Sequence, residues 1–360
     1  MIDTHRLDAD TTEVRDSHRF DEARLAEYLE SNIEQYAGPL KVVQFKGGQS
    51  NPTFGLITPK HRYVLRRKPL GKLLPSAHAV DREYRVLTAL SDTGVPVART
   101  WCLCEDESVL GSSFYVMDWV EGRVLWDPSI PGATPSERAA IFDEMNRVIA
   151  ALHTVDVGAV GLADYGKPGN YFERQISRWS KQYRASETRA IASMERLMDW
   201  LPRHVPPGDE VSVVHGDYRL DNLMLEPNGP RVRAVLDWEL STLGHPLADF
   251  SYHCMTWHLQ PGVVRGLAGQ DLAALGIPNE AEYVATYCRR AGREPISPAD
   301  WSFYLAYNMF RFAGILQGIA GRVVEGTAAS PQAMEMAAAV EPIADIAWRQ
   351  VESIRLGRAA

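Results

Sequence analysis

Apolar residues first recur at helical spacing after Asp21, where Leu25, Tyr28, Leu29, Ile33 and Tyr36 share a stripe that Gly38-Pro39 stops. The pattern then changes to β-like runs over 40–45, 53–58 and 62–66. Between the first two runs lies a Gly-rich hairpin loop, Lys46-Gly47-Gly48-Gln49-Ser50-Asn51-Pro52. A helix is expected over 76–90, with Val80, Tyr84 and Leu87 on one face. Runs over 97–103 and 113–117 complete an expected five-stranded antiparallel sheet carrying one helix. Residues 1–20 are polar and charged, and read as a loose arm.

Asp118-Trp119-Val120-Glu121-Gly122 breaks the strand pattern and is a candidate hinge. Thr134-Pro135-Ser136-Glu137 combines capping-box spacing with proline at the first helical position, so a helix should begin there. Beyond it the chain reads as mostly helical. Starts are expected at Asn279-x-x-Glu282 and Ser297-Pro298, a buried helix over 301–319, and a final helix over 334–354. The fold class is α+β: a small N-terminal antiparallel β-sheet lobe over 21–118, and a larger, mainly helical C-terminal lobe over 119–360.

Composition adds exclusions. With 45% hydrophobic and 23% charged residues the chain can build packed cores, and a formal net charge of -8 argues against a general nucleic-acid or anionic-membrane binder. Four cysteines are too few for a disulfide scaffold, and Cys102 and Cys104 lack the second close pair that a zinc site needs. The polar N-terminus and the lack of an 18-residue apolar run lead to the expectation of a cytoplasmic protein, with neither membrane nor nucleic acid as partner.

One stretch carries chemistry. His215-Gly216-Asp217-Tyr218-Arg219-Leu220-Asp221-Asn222 sits between the β-like runs 211–214 and 223–225, and Asp237 ends a further apolar run after a Pro-Asn-Gly turn. Phosphoryl transfer needs a carboxylate beside the attacking hydroxyl, and hard oxygens on Mg²⁺; H-x-D-x-x-x-x-N followed by a strand ending in Asp supplies them. Asp217 is the expected catalytic residue, and Asn222 and Asp237 the expected metal ligands. The five-residue spacing favours Asn222 over its neighbour Asp221. His215 is expected to buttress the loop, and Asp249 either to brace it or to serve a helix dipole.

The third β-like run should supply a cation for nucleotide phosphates, paired to a carboxylate on the next helix. Arg66 is favoured over Lys68, with Glu83 as its partner, although arginine and lysine differ in geometry. Arg67, on the opposite strand face, reads as part of a solvated basic edge. Gly47 and Gly48 would admit phosphate oxygens, with Ser50 and Asn51 as added donors, although a plain hairpin would look alike.

These residues, together with Leu236-Asp237-Trp238-Glu239, resemble the aminoglycoside phosphotransferase and choline kinase-like family over about residues 20–350. The resemblance implies a bilobal protein-kinase-like fold and ATP, or GTP, with Mg²⁺. It also implies nucleotide contact by the backbone near Met117 and Val120, and a small-molecule hydroxyl substrate. Gly244-His245-Pro246-Leu247-Ala248-Asp249 and 310–319 are similar to the kinase-like domain fused to acyl-CoA dehydrogenases. That likeness implies a hydroxyacyl or acyl-CoA-type acceptor. Arg311 would suit an acidic acceptor and Glu239 a cationic one, so an aminoglycoside kinase stands as the alternative. A nucleotide-binding pseudokinase is a further alternative. A protein kinase ranks last, because no A-P-E motif follows Asp237.

Overall fold

The computed structural model describes residues 11–46, 51–71, 78–262, 264–328 and 331–357. The chain divides into two compact units. The first comprises 1–123, 224–227 and 233–241; the second comprises 124–223, 228–232 and 242–360. The short stretch bearing Asp237 and Glu239 therefore packs with the N-terminal sheet, although it lies deep in the later part of the sequence.

The first unit is built on a six-stranded antiparallel sheet of order β1-β2-β3-β4-β6-β5. Its strands are β1 (Thr11–Thr12), β2 (Lys41–Phe45), β3 (Thr53–Ile57), β4 (Arg62–Arg67), β5 (Thr100–Cys104) and β6 (Phe114–Asp118). Helix α1 (Glu22–Asn32) starts at Asp21, whose side chain accepts from the Arg24 N–H. Its buried Leu25 and Leu29, with Ile33 just beyond, pack with Phe54, Leu56, Leu65, Phe114 and Val116. Helix α2 (Val80–Leu90) precedes β5, and the single turn α3 (Glu107–Leu110) precedes β6.

Two expectations are corrected here. The arm before residue 20 is anchored over its described half: Thr11 and Thr12 pair with Phe45 and Gln44, and the Arg15 N–H donates to Gln44 Oε1 at 3.0 Å. A two-residue strand is too short for any periodicity to reveal. Arg67 is not a solvated edge residue but is buried, its guanidinium lying over the Phe20 and Phe54 rings at 5.2 and 5.4 Å. It donates to the carbonyls of Leu110 and His18.

The second unit is helical around short strands. Helix α4 (Pro135–His153) carries the reciprocal Thr134–Glu137 capping box. It is followed by α5 (Tyr171–Ala185) and α6 (Ala192–Trp200). Strand β7 (Ser212–Val214) pairs antiparallel with β10 (Thr242–Gly244), while β8 (Leu223–Leu225) and β9 (Val232–Val235) pair with each other and fall mostly in the first unit. Every residue of α7 (Pro246–Cys254) is buried. After the one-turn α8 (Leu272–Leu275), α9 (Glu280–Arg290) and α10 (Pro298–Val324) begin at the caps expected from sequence, Asn279 and Ser297.

Helix α10 is buried from Trp301 through Phe310, and the polar Asn308 among them donates to the Ala248 carbonyl and Ser251 Oγ. Such a helix must be apolar on nearly every side. The single final helix expected over 334–354 is instead α11 (Ala333–Ala338) and α12 (Val340–Arg355). Pro342 lacks an N–H and its ring would clash with the carbonyl one turn back, so a new helix starts just before it. Among the described residues no helix is long and apolar enough to cross a membrane.

Candidate active site

In the second unit, β7 delivers the chain into the loop 215–219, and a 3₁₀ turn over Leu220–Asn222 carries it on to β8. Gly216 adopts φ +84°, a left-handed conformation that glycine reaches without steric cost. This turn aims the N–H groups of His215 and Gly216 at one buried carboxylate. Asp249 Oδ2 accepts from His215 N at 2.7 Å and Oδ1 from Gly216 N at 2.8 Å. His153 Nε2 lies 3.2 Å from Asp249 Oδ2, with its Nδ1 2.7 Å from the Tyr287 hydroxyl. Burial alone would push the Asp249 carboxyl up, but His153 and the backbone donors hold it below the usual carboxylate range. The buried His215 ring takes the Asp217 N–H on Nδ1 at 3.2 Å.

The Asp217 side chain is held from three directions. Oδ1 accepts from the Tyr252 hydroxyl at 2.6 Å, Oδ2 accepts from Asn222 Nδ2 at 3.0 Å, and Arg219 Nε lies 3.0 Å from Oδ1. Asn222 Nδ2 also donates to the Asp217 carbonyl at 2.8 Å. Both of its amide hydrogens are thereby committed to Asp217, and its amide oxygen is left as the atom that can meet a cation. Burial and the Asp217 carboxylate both push the Tyr252 phenol well above its ordinary value, so it donates as a neutral hydroxyl. Arg311, deep on α10, donates to the Gly216 carbonyl at 2.9 Å and stacks over the Tyr252 ring at 4.9 Å.

In the first unit, Asp237 follows β9 with φ +62°, where a non-glycine residue is strained. Arg66 Nη2 on β4 donates to Asp237 Oδ1 at 2.8 Å, while its Nε lies 3.1 Å from Glu83 Oε2 on α2. Glu239 is more distant, at 3.8 Å from the same guanidinium. Glu83 is buried and further held by Asn51 Nδ2 at 2.9 Å and the Tyr115 hydroxyl at 3.1 Å. Burial raises its carboxyl to about 7 against the pull of Arg66, and the Asp237 charge adds to the rise.

Asn51, expected as a phosphate donor, spends its amide on Glu83, and its Oδ1 lies 3.0 Å from His78 Nδ1. Gly47, Gly48 and Ser50 lie outside the described residues. Met117 pairs with Val64 near the end of β6, and Val120 stands just past that strand.

Sequence reasoning missed Tyr252, Arg219 and His153. Tyr252 is three residues after Asp249 on one helix, and that i, i+3 spacing was an available signal. No local signal announces His153, which is 96 residues from the carboxylate it meets. Among the described residues no cluster of three or more His, Cys, Asp or Glu could hold a metal. Mg²⁺ in a nucleotide site usually keeps waters and phosphate oxygens and takes only one or two protein ligands.

A family model described as the phosphotransferase enzyme family matches residues 41–301. Among curated proteins the chain is 45% identical over 341 residues to acyl-CoA dehydrogenase family member 10 of Mus musculus. That alignment covers 94% of this chain and 32% of the mouse protein. The chain spans less than half the length of this mouse protein and of acyl-CoA dehydrogenase family member 11 of Rattus norvegicus, to which it is 42% identical. A crystal structure from Ralstonia eutropha, provisionally described as an aminoglycoside phosphotransferase, is 60% identical with TM-score 0.88, covering 93% of this chain and 99% of that one. A thermostable aminoglycoside phosphotransferase mutant in ternary complex with AMP-PNP and hygromycin B is 16% identical with TM-score 0.57, covering 91% and 98%. That last likeness concerns the fold alone, which is the protein-kinase-like phosphotransferase fold.

Proposed function

The chain belongs to the phosphotransferase enzyme family, and on that premise we propose that it transfers the γ-phosphoryl group of ATP, or GTP, to a hydroxyl of a small molecule. The observation that carries the reading is Asp217. Its carboxylate stands on a loop braced by Asp249 and is oriented by Tyr252, Arg219 and Asn222.

In the proposed reaction the acceptor hydroxyl oxygen forms the new bond to the γ-phosphorus. The bond to the β–γ bridging oxygen breaks, and the nucleoside diphosphate leaves with that electron pair. Asp217 orients the hydroxyl and takes its proton. The Asn222 amide oxygen and the Asp237 carboxylate are hard ligands that fit Mg²⁺, and they would hold it. When bound, the ion neutralises charge developing on the phosphates. Arg66, anchored by Glu83, is the proposed phosphate contact in place of a lysine. The backbone near Met117 and Val120 is proposed to meet the base.

The acceptor class we favour is a hydroxyacyl or acyl-CoA-type alcohol, in keeping with the name carried by the mouse relative. A cationic aminoglycoside is the alternative. Asp217→Ala should abolish turnover, by at least about a hundredfold, while nucleotide binding measured by calorimetry persists. Unchanged turnover in that variant would remove the mechanism. The Arg66–Asp237 contact favours a second reading, a nucleotide-binding module without turnover, because it occupies an expected metal ligand. Mg²⁺-dependent ATP consumption against a panel of alcohols separates the two.

A further inference from the structure

A small cavity of ≈ 40 Å³ opens within the second unit beside the Asp217 loop. Two of its lining residues, Arg219 and Tyr252, are the ones that hold the Asp217 carboxylate. Its apolar side is made by Phe142, Met145 and Leu259. Its polar side is made by Asp221 between two guanidinium groups: Arg265 Nη1 pairs with Asp221 Oδ2, and Arg219 Nη2 lies 3.4 Å from the same oxygen.

Charge and exposure differ sharply across that triad. The Asp221 side chain is only 8% exposed, whereas both arginine side chains are 38% exposed. Arg265 also lies 4.9 Å over the ring of Trp126, a lining residue that is itself 62% exposed. The carboxylate lining the cavity, Asp221, is covered by both arginines, and Asp217 stands behind Arg219 and Tyr252. A ligand arriving at this rim meets guanidinium N–H donors and an indole face before it meets a carboxylate. Arg265 spends only Nη1 on Asp221 and retains donors in the fork geometry that suits carboxylate or phosphate oxygens. The volume of ≈ 40 Å³ takes roughly three water-sized groups, so only a slender end of a molecule can enter.

We propose that this cavity is the acceptor site, and that Arg265 with Trp126 at its rim recognises an anionic group on an alcohol whose intervening carbon skeleton is short and apolar. The inference rests on the kinase reading of Asp217 for the identity of the occupant. The anion could be a carboxylate on the acceptor or a phosphate of an attached carrier, and the test has an arm for each.

Calorimetric titration of the full chain needs no turnover and reads the pocket directly. The probes are ω-hydroxyhexanoate, its primary amide, ω-aminohexanol and ω-hydroxyhexanoyl coenzyme A. At least one of the two anionic probes should bind about tenfold or more tightly than the amide and amine. Arg265→Gly should remove most of that preference while changing amide affinity less than about twofold. Arg265 adopts φ +55°, a conformation glycine prefers, so this variant deletes the side chain without straining the fold. Arg265→Lys, which keeps the charge but not the fork, should fall between the two.

Equal binding of all four probes, binding of none, or an anion preference that survives Arg265→Gly would overturn the assignment. Preferential anion binding with no phosphoryl transfer to any probe would remove the kinase reading and leave the anion pocket standing. Transfer to an acceptor whose affinity ignores Arg265→Gly would do the reverse.

Discussion

Replacing Asp249 tests the frame on which the proposed chemistry depends. Its buried carboxylate accepts the His215 and Gly216 N–H groups at 2.7 and 2.8 Å and pairs with the buried His153 ring at 3.2 Å, and Gly216 is half-buried. Asp249→Ala leaves the buried His215 N–H, the half-buried Gly216 N–H and the His153 ring without their acceptor. Each orphaned donor costs about 1–3 kcal/mol, so the variant should lose about 3–6 kcal/mol, a large share of a typical 5–15 kcal/mol stability. Asp249→Asn conserves volume and one acceptor oxygen, but turns an amide N–H₂ toward one of the donors. It should lose about half as much, with cavity formation excluded as a cause.

The assay is urea unfolding of each variant, followed by turnover under conditions where it remains folded. A loop displaced by about 1 Å should cost on the order of a hundredfold in kcat. An Asp249→Ala protein within about 1 kcal/mol of the parent, as compared with the expected loss, would refute the bracing argument.

Three further outcomes are expected. Arg66→Ala should destabilise the first unit by about 1–3 kcal/mol at pH 8–9, where the Glu83 carboxyl is charged, and by less below pH 7, where that carboxyl takes up a proton; Glu83→Gln in the same chain should restore part of the loss, and both are read by urea unfolding. His253 is buried beside the Tyr283 hydroxyl, and burial lowers it from 6.5 to about 4. The folded chain therefore binds fewer protons than the unfolded one between those values. Its contribution is complete above pH 6.5 and declines by about 3 kcal/mol as pH falls toward 4, visible as a slope of unfolding free energy that His253→Gln flattens. Asn222→Ala should raise the Mg²⁺ concentration for half-maximal turnover by about tenfold or more, and an unshifted Mg²⁺ dependence would remove Asn222 as a ligand.

The sequence by itself determined those features whose causes are local. Caps at Thr134, Asn279 and Ser297 announced helices because a side-chain oxygen there meets N–H groups two or three residues on. Five of the sheet's six strands were legible as short β-like runs, and the loop around Asp217 from its residue types and their spacing. Tertiary structure decided the rest. Arg67 could not be known to be buried until Phe20, β3, α3 and the chain near His18 closed around it, since a charged residue on a strand reads as exposed. Partners for Asp217 and Asp221 came from Tyr252 and Arg265, 35 and 44 residues away. Side chains so far apart along the chain meet only through packing, because no backbone periodicity relates them. The chemistry-bearing residues could be picked out one by one, whereas which donor holds which oxygen was settled only when the helices packed.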